Sequence, residues 1–344
     1  MSTARRERIT ISDIAAQLGI SKASVSYALN GRPGVSAATR ARVLHLADEL
    51  GFHASSAAVA LSASRTGTIG VVIARDPAVI TAEAFYMRTL FGVEQYLNEA
   101  DGQLLLRLTG ERGEDLDVYR RWTRQGRVDG FLLYDEHDDD PRVPLLTALG
   151  MPAVMVTSVA LDDGIGRLVT PEAQTVQVML DHLHSLGHRE ILHLSGPLVY
   201  AHERVRMQTM ASEGAARGLQ VAHVEGTYEF ASGAEATSAL LRRRPSTAPT
   251  AIVAGNDIMA TAAVSTATDL GLRVPTDLSV IAWDDSVLCQ VARPHLTAMD
   301  HGLMGKARLA TDLLFDLIAG GTQVHRASSV GTLIVRGTTG PPRR

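Results

Sequence analysis

The sequence predicts a small all-α head followed by a much larger α/β core with parallel sheets. Two observations support this fold class. Residues 11–29 contain two short amphipathic segments separated by a glycine, and residues 68–344 alternate strand and helix patterns. Residues 1–65 have a net charge of +4, whereas the remainder has a net charge of −8. A basic head on an acidic body favours a polyanion as the partner of the head.

Capping and turn residues define the ends of the first two predicted helices. Thr10 can cap the first helix, with Asp13 at its third position, and Gly19 ends it in the left-handed conformation that glycine adopts readily. Ser21 can cap the second helix, and the small residue Ala15 lets the two helices cross closely. These offsets indicate a helix-turn-helix, although an ordinary helical hairpin inside a larger core shares its local features. In a helix-turn-helix the second helix enters the DNA major groove, and its outward residues here are Lys22, Ala23, Ser24 and Tyr27.

A third helix and a linker complete the head. Ser36 can cap the third helix and Gly51 can end it, which gives a small bundle in about fifty residues. Residues 53–66 are small and polar and have the composition of a linker. Ala58, Leu61 and their alanine neighbours allow one or two helical turns, but so short a helix forms only when something packs on it.

The core shows repeated strand–helix units, which favour parallel sheets covered on both faces. Its length favours two α/β lobes over a single sheet. The predicted strands are Ile69–Ala74, Leu104–Leu108, Gly130–Tyr134, Ala153–Thr157, Ile191–Ser195, Ala251–Ala254 and Leu278–Trp283. The predicted helices lie near 84–100, 115–125, 172–186, 202–217, 231–244, 256–270 and 302–319.

Composition excludes several classes of protein. The chain has 344 residues, of which 45% are hydrophobic and 20% are charged, as in an ordinary globular protein. No apolar run is long enough to span a membrane, and no apolar signal region follows the basic N-terminus. Cys289 is the only cysteine and can form no intramolecular disulfide. We therefore expect a cytoplasmic protein.

The whole chain resembles the LacI/GalR (lactose-repressor) family of bacterial transcription regulators. The resemblance rests on landmarks that occur in order: ITISDIAAQLGISKASVSYALNGRPGVSAATRARV, GTIGVV, GRVDGFLL, DHLHSLGHREILHLSGP, ERVR, AGNDIMA, GLRVPTDLSVIAWDD and RPHLTAM. It implies a head at 1–52, a hinge helix at 53–66 and a two-lobed core at 67–344 like periplasmic sugar-binding proteins. It also implies three crossovers between the lobes, expected near 158–161, 289–292 and 324–328. Lobe 1 would span about 67–159 and 291–325, and lobe 2 about 160–290 and 326–340.

The resemblance assigns contacts with DNA to residues of the head and hinge. These residues are Thr10, Ser21, Lys22, Ala23, Ser24, Ser26, Tyr27, Asn30, Ser36, Ala58 and Leu61. Lys22 can donate to guanine, and Ala23 offers only apolar contact with a thymine methyl group. Tyr27 replaces the arginine common at its position, and packing against the backbone is an equal alternative. Leu61 aligns with the leucine that wedges into the minor groove, although a flexible linker remains the alternative.

The resemblance also assigns a small-molecule effector to the cleft between the lobes. Arg206, Asn256 and Asp284 match positions that bind a polyhydroxylated effector, and two of them follow predicted strands. Phe85 or Tyr86 would supply an aromatic wall. Each polar residue could instead be structural at a strand end. Gln174 stands where an aspartate is common, Thr209 and Met210 replace a glycine–aromatic pair, and 75–84 looks longer than usual, so the effector need not be a typical family sugar.

Other candidate motifs carry no predicted chemistry. His182, His184 and His188 lie on one helix and its end and are not expected to bind metal. The acidic run from Asp135 to Asp140 is expected to be a solvated loop, and Trp122 and Trp283 are expected in the core or the cleft wall. No cofactor loop or catalytic motif is present, which argues against an enzyme. A solute-binding protein is disfavoured by the missing leader and by the head.

The sequence therefore predicts a ligand-responsive, sequence-specific DNA-binding regulator without a cofactor. We expect a homodimeric repressor that a sugar or sugar derivative releases from a pseudo-palindromic operator of double-stranded DNA, with no membrane partner. The alternative is a regulator that needs a nucleoside-like, purine-like or other non-sugar corepressor. Physics allows either sign of coupling between the two ligands.

Overall fold

The computed structural model describes residues 9–29, 31–52, 65–110, 113–242 and 248–343. They form two compact units that divide between Thr66 and Gly67. The predicted DNA contacts Asn30, Ala58 and Leu61, and the hinge at 53–64, lie outside the described residues.

The head consists of helices α1 (Ile11–Leu18), α2 (Lys22–Leu29) and α3 (Ala37–Glu49). Asp13 accepts hydrogen bonds from the backbone N–H and the hydroxyl of Thr10, at 2.8 and 2.7 Å, and Gly19 ends α1 with φ of 65°. Ser21 Oγ accepts from the backbone N–H of Ser24 at 3.0 Å, and Ser36 caps α3 in the same way. The three helices share one apolar core, made of Ile14, Ala15, Val25, Ala28, Val43, Leu46 and Ala47.

The elements of the core follow one another as strand–helix units. The strands are β1 (Thr68–Ala74), β2 (Gln103–Thr109), β3 (Gly130–Leu133), β4 (Ala153–Thr157), β5 (Gly166–Val169), β6 (Glu190–Ser195), β7 (Gln220–Glu225), β8 (Ala251–Ala254), β9 (Ser279–Ala282), β10 (Thr297–Asp300), β11 (His325–Ala327) and β12 (Thr332–Ile334). The helices are α4 (Pro77–Ala82), α5 (Ala84–Glu99), α6 (Glu114–Arg124), α7 (Arg142–Ala148), α8 (Glu172–Ser185), α9 (Ala201–Ala216), α10 (Phe230–Arg242), α11 (Asp257–Asp269), α12 (Val287–Val291) and α13 (Leu303–Ile318).

Within the described ranges, each lobe is built on one six-stranded sheet. The first lobe has the order β11-β5-β4-β3-β1-β2, and every neighbouring pair is parallel. The second has the order β12-β10-β9-β8-β6-β7, in which only β12 is antiparallel to its neighbour. Apolar clusters cover both faces of each sheet. The predicted fold class, a helix-turn-helix head with a two-lobed core of mainly parallel sheets, is confirmed.

The predicted positions of the crossovers were wrong in two cases. β5 still belongs to the first sheet, so the chain enters the second lobe at 170–171 and not near 158–161. β10 belongs to the second sheet, so the return lies at 301–302 and not near 289–292. The third crossover follows β11 and lies at 328–331. Both errors arose because glycine or polar residues interrupt the apolar pattern of β5 (GRLV) and β10 (TAMD), so neither contains a recognisable apolar run.

Candidate functional site

The recognition helix α2 presents part of the predicted DNA-contacting set to solvent. Lys22 and Ala23 are exposed, Ser24 and Ser26 are half-buried, and Tyr27 is 41% exposed. Thr10, Ser21 and Ser36 are exposed at the N-termini of the three helices. Helix N-termini with free backbone N–H groups are suited to phosphate. The arrangement therefore separates groups that can reach bases from groups that can reach the backbone of a duplex.

Tyr27 also contacts the loop after its helix. A Cβ atom built on Gly34 would lie 3.1 Å from Tyr27 Cδ2, so the tyrosine ring packs directly against the backbone of that glycine. Gly34 has φ of 118°, which a residue with a side chain adopts only with strain. This contact favours the alternative in which Tyr27 packs on the protein backbone, while its exposed edge remains available to DNA.

A cavity lies between the two lobes of the core, at the carboxyl ends of the strands. It holds about 880 Å³ of open space, which includes the solvent at its mouth. Of the predicted effector-binding residues, Phe85, Arg206, Asn256 and Asp284 line it. Its other polar and aromatic lining residues include Arg75, Glu83, Asp135, Glu172, His202, Tyr228, Trp283, His301 and Lys306.

Arg206 is held rigidly in the wall of this cavity by α9. Its Nε donates to Glu172 Oε2 at 2.6 Å, its Nη1 donates to Glu203 Oε1 at 2.7 Å, and its guanidinium lies 3.8 Å from the ring centroid of Trp283. Burial alone would lower the pKa of Arg206, but the two carboxylates hold it above the ordinary value. Among the described residues none accepts from its Nη2, which leaves donors for a ligand.

Asn256 and Asp284 differ in how many of their polar side-chain atoms remain available to a ligand. Asn256 caps α11 by accepting from the backbone N–H of Met259 at 2.8 Å, and its Nδ2 donates to Glu83 Oε1 and to the Tyr228 carbonyl. Asp284 follows β9, and within the described ranges no group donates to its carboxylate. Burial, and then the charge of Asp257, raises the pKa of Asp284 to about 8. Asp284 can therefore both donate to and accept from a ligand hydroxyl at neutral pH.

Two predicted effector residues lie away from the cavity lining. Gln174 is exposed, whereas Glu172 is buried and lines the cavity. Residues two positions apart on a helix point in nearly opposite directions. Glu172 and Gln174 therefore lie on opposite faces of α8, and only Glu172 is on the face that lines the cavity. Tyr86 is buried in the apolar core of the first lobe, and its hydroxyl donates to Asp135 Oδ2. Tyr86 therefore holds Asp135, which lines the cavity, by a hydrogen bond from the first-lobe core.

The acidic run at 135–140 is only in part the solvated loop that was predicted, because Asp138 and Asp139 are exposed but Glu136 and Asp140 are buried. Asp135 accepts from Arg75 Nε and Nη2 at 3.0 and 2.9 Å, and this partner holds the pKa of Asp135 well below its usual range despite burial. Asp140 is buried and accepts from Arg142 Nη2 at 2.6 Å. Among the acidic residues of this run that form ion pairs, only Asp138 is mostly exposed. It pairs with Arg204 of the second lobe. Burial of this loop follows from its position at the carboxyl end of β3, facing the other lobe.

Two histidines that the sequence analysis did not predict, His202 and His301, also line the cavity. Burial lowers the pKa of both His202 and His301 to about 4, so both are neutral at physiological pH. His202 Nε2 lies 3.0 Å from the hydroxyl of Tyr228, which in turn donates to Glu203 Oε1 at 2.6 Å. A survey of polar residues directly after each predicted strand would have found Arg75 and Asp135, but not these histidines.

The remaining sequence candidates are structural. His188 is buried and its ring nitrogens lie within 3.1 Å of Thr250 Oγ1, Ser279 Oγ and the Gly340 carbonyl. In the part of the chain that the structure describes, no cluster of three or more metal-ligating side chains occurs. Trp122 packs in the first-lobe core, and Trp283 lines the cavity wall.

Comparison with known proteins agrees with both halves of this description. Residues 10–55 match "Bacterial regulatory proteins, lacI family", and residues 180–339 match "Periplasmic binding protein-like domain". The HTH-type transcriptional regulator CelR of Thermobifida fusca is 31% identical over 331 residues, which cover 92% of this chain and 94% of CelR. The chain belongs to the LacI family. It is a DNA-binding transcriptional regulator of that family.

Solved structures extend the comparison of this LacI-family regulator. A structure described as "transcriptional regulator CelR-cellobiose complex" has 28% identity and a TM-score of 0.72, and the match covers 96% of this chain and all of the other. The lac repressor dimer bound to operator has 24% identity and a TM-score of 0.83, with 97% of this chain covered and all of the other, and supports the fold alone. Across the described ranges, no helix is both long and apolar enough to cross a bilayer.

Proposed function

We propose that this LacI-family regulator is a homodimeric repressor whose affinity for its operator is set by a small polyhydroxylated effector in the interlobe cavity. The observation that carries the proposal is that one chain combines an exposed recognition helix with a preformed polar cavity between two lobes. We assign DNA binding to residues 1–52, coupling to the hinge at 53–66 and effector binding to 67–344. Such a regulator acts where its DNA is, in the cytoplasm.

The chemistry of the cavity favours a neutral, hydroxyl-rich ligand. Arg75 and Arg206 are already paired with carboxylates, so neither needs a ligand anion to balance its charge. Asp284 offers a carboxyl group to which none of the described residues donates, and Phe85 and Trp283 offer apolar ring surface. Hydroxyls that replace water on such groups leave no buried polar atom unpaired. The cellobiose complex of a CelR that is 28% identical makes cellobiose the first sugar to test.

The homodimer would form through the first lobe. Met87 and Phe91 lie one turn apart on α5 and are 68% and 57% exposed, and Leu106 and Leu108 on the edge strand β2 are 40% and 51% exposed. Large apolar side chains grouped on a surface and an edge strand mark a protein interface. A dimer with a two-fold axis carries two heads, which suits the two half-sites of a pseudo-palindromic operator.

Effector and operator would then be coupled through the relative orientation of the lobes. A ligand that prefers one lobe arrangement weakens DNA binding if the operator prefers the other, and the coupling must be reciprocal. No bond in the effector is made or broken in this scheme. NMR of the recovered ligand checks this point, because a chemically altered sugar would show that the cavity catalyses a reaction.

The decisive experiment begins by selecting operators from fragmented genomic DNA with the purified full-length chain. The enriched fragments are expected to share a pseudo-palindrome, and anisotropy titration with that duplex is then repeated with cellobiose, monosaccharides and nucleosides. A sugar that weakens operator binding at least about tenfold supports the proposal. A nucleoside or purine that strengthens binding would instead establish the corepressor alternative. Absence of a shared operator sequence would refute regulation by direct DNA recognition.

A further inference from the structure

The segment 75–83 belongs to the first lobe in sequence but contacts both lobes. Its short helix α4 begins after Asp76, whose Oδ1 accepts from the backbone N–H of Ala78 at 2.7 Å. The next two residues diverge: Val79 packs against the second-lobe cluster that contains Tyr228, and Ile80 packs against a first-lobe cluster. One turn of helix therefore bridges the two lobes by apolar contact.

Both ends of this segment line the effector cavity and reach the second lobe. Arg75 is fixed to its own lobe by Asp135, and its guanidinium carbon lies 4.0 Å from the ring centroid of Tyr200 in the second lobe. Glu83 Oε1 accepts from Asn256 Nδ2 of the second lobe at 3.1 Å. The segment thus runs along one side of the cavity, with a cation–π contact at one end, a hydrogen bond at the other and an apolar contact between them.

We propose that residues 75–83 form a gate of the effector cavity, closed in this structure, which opens when Val79 and Glu83 detach from the second lobe. Ile80 and the bidentate Arg75–Asp135 pair keep the segment attached to the first lobe during opening. Arg75 keeps its contact with Tyr200, so the contacts that detach are those of one half-buried valine and one side-chain hydrogen bond, which are few to break. The gate deepens the proposed effector site, since it decides how fast a ligand enters and leaves.

Trp283 provides a readout of the gate that needs no effector. It lines the cavity and is buried, while the chain's other tryptophan, Trp122, lies in the first-lobe core. In full-length protein carrying Trp122→Phe, quenching of Trp283 fluorescence by acrylamide measures access to the cavity. The gate variants are Val79→Ser and Glu83→Ala. The matched control is Val335→Ser, which makes the same change at an exposed valine outside the gate.

The gate predicts that acrylamide quenching of Trp283 increases about twofold or more in both gate variants and stays unchanged in the control. Circular dichroism spectra and thermal unfolding show whether each variant is folded. If Val79→Ser does not fold, Glu83→Ala still tests the gate. Unchanged quenching in the folded gate variants would overturn the gate, as would an equal increase in the control. Either result leaves the operator experiment intact, so failure of the gate and failure of the proposed function are separable.

Discussion

Arg206→Ala tests whether the cavity wall is built on a buried ion-pair cluster. The substitution removes the guanidinium that bridges Glu172 and Glu203 at 2.6 and 2.7 Å. Both carboxylates are buried in the intact protein, so each loses its cationic partner at a site that water solvates poorly. Removing one partner of a buried ion pair is strongly destabilising, because the remaining charge stays in a medium that solvates it poorly.

Two routes give the expected magnitude. Breaking a buried pair from one side costs about 3–5 kcal/mol. Independently, Arg206 and nearby histidines overcome the effect of burial and lower the pKa of Glu172 from 4.5 to about 2, which corresponds to about 3 kcal/mol. Because the pKa of Glu172 is lowered in the folded state, this stabilisation is present above pH 4.5 and is lost as pH falls towards 2. We therefore expect a loss of about 3–5 kcal/mol at pH 7 that shrinks in acid.

Urea unfolding of the full-length chain, followed by tryptophan fluorescence, measures this loss. Arg217→Ala is the matched control, because Arg217 ends the same helix and also pairs with two acids, Asp181 and Glu213, both far more exposed. Solvent screens such pairs, so the control should lose less than about 1 kcal/mol. Equal losses in the two variants, or an Arg206→Ala loss independent of pH, would refute the buried-cluster reasoning.

Three further predictions concern the head, the dimer and the gate. Lys22→Ala should lose about 1–3 kcal/mol of discrimination at one operator position in competition assays, whereas an equal loss on every sequence would make Lys22 a phosphate contact. Phe91→Asp should raise the dimer dissociation constant at least about a hundredfold in analytical ultracentrifugation, and an unchanged dimer would place the interface elsewhere. In the closed gate, burial raises the pKa of Glu83 from 4.5 to about 7, because burial and the charges of Asp135 and Asp257 outweigh the opposing effect of Arg75. Glu83 therefore binds its proton more tightly in the closed state, so closing is favoured at pH 5 and weakened by pH 8. Acrylamide quenching of Trp283 should rise over that range; Asp284 titrates there too, so quenching that rises equally in Glu83→Gln would exclude Glu83 as the cause.

Strong local patterns predicted the regular elements well. The seven predicted strands overlap β1, β2, β3, β4, β6, β8 and β9. Most of these strands are buried on both faces and therefore appear as continuous apolar runs. The missed strands either lie at sheet edges, as β7, β11 and β12 do, or contain no continuous apolar run, as in β5 and β10. β7 is largely exposed, so its residues carry no apolar run that a strand prediction could use.

The sequence by itself determined the head and the presence of two α/β lobes, because caps, the turn at Gly19 and apolar periodicity act between residues at most four apart. The family resemblance, rather than local spacing, assigned Arg206, Asn256 and Asp284 to the cleft, and all three line the cavity. Only the tertiary structure decided which charges meet there: Arg75 pairs with Asp135 sixty positions away, and Arg206 pairs with Glu172 thirty-four positions away. Strand order and helix rotation set these pairings, and both depend on packing across the whole core rather than on local spacing.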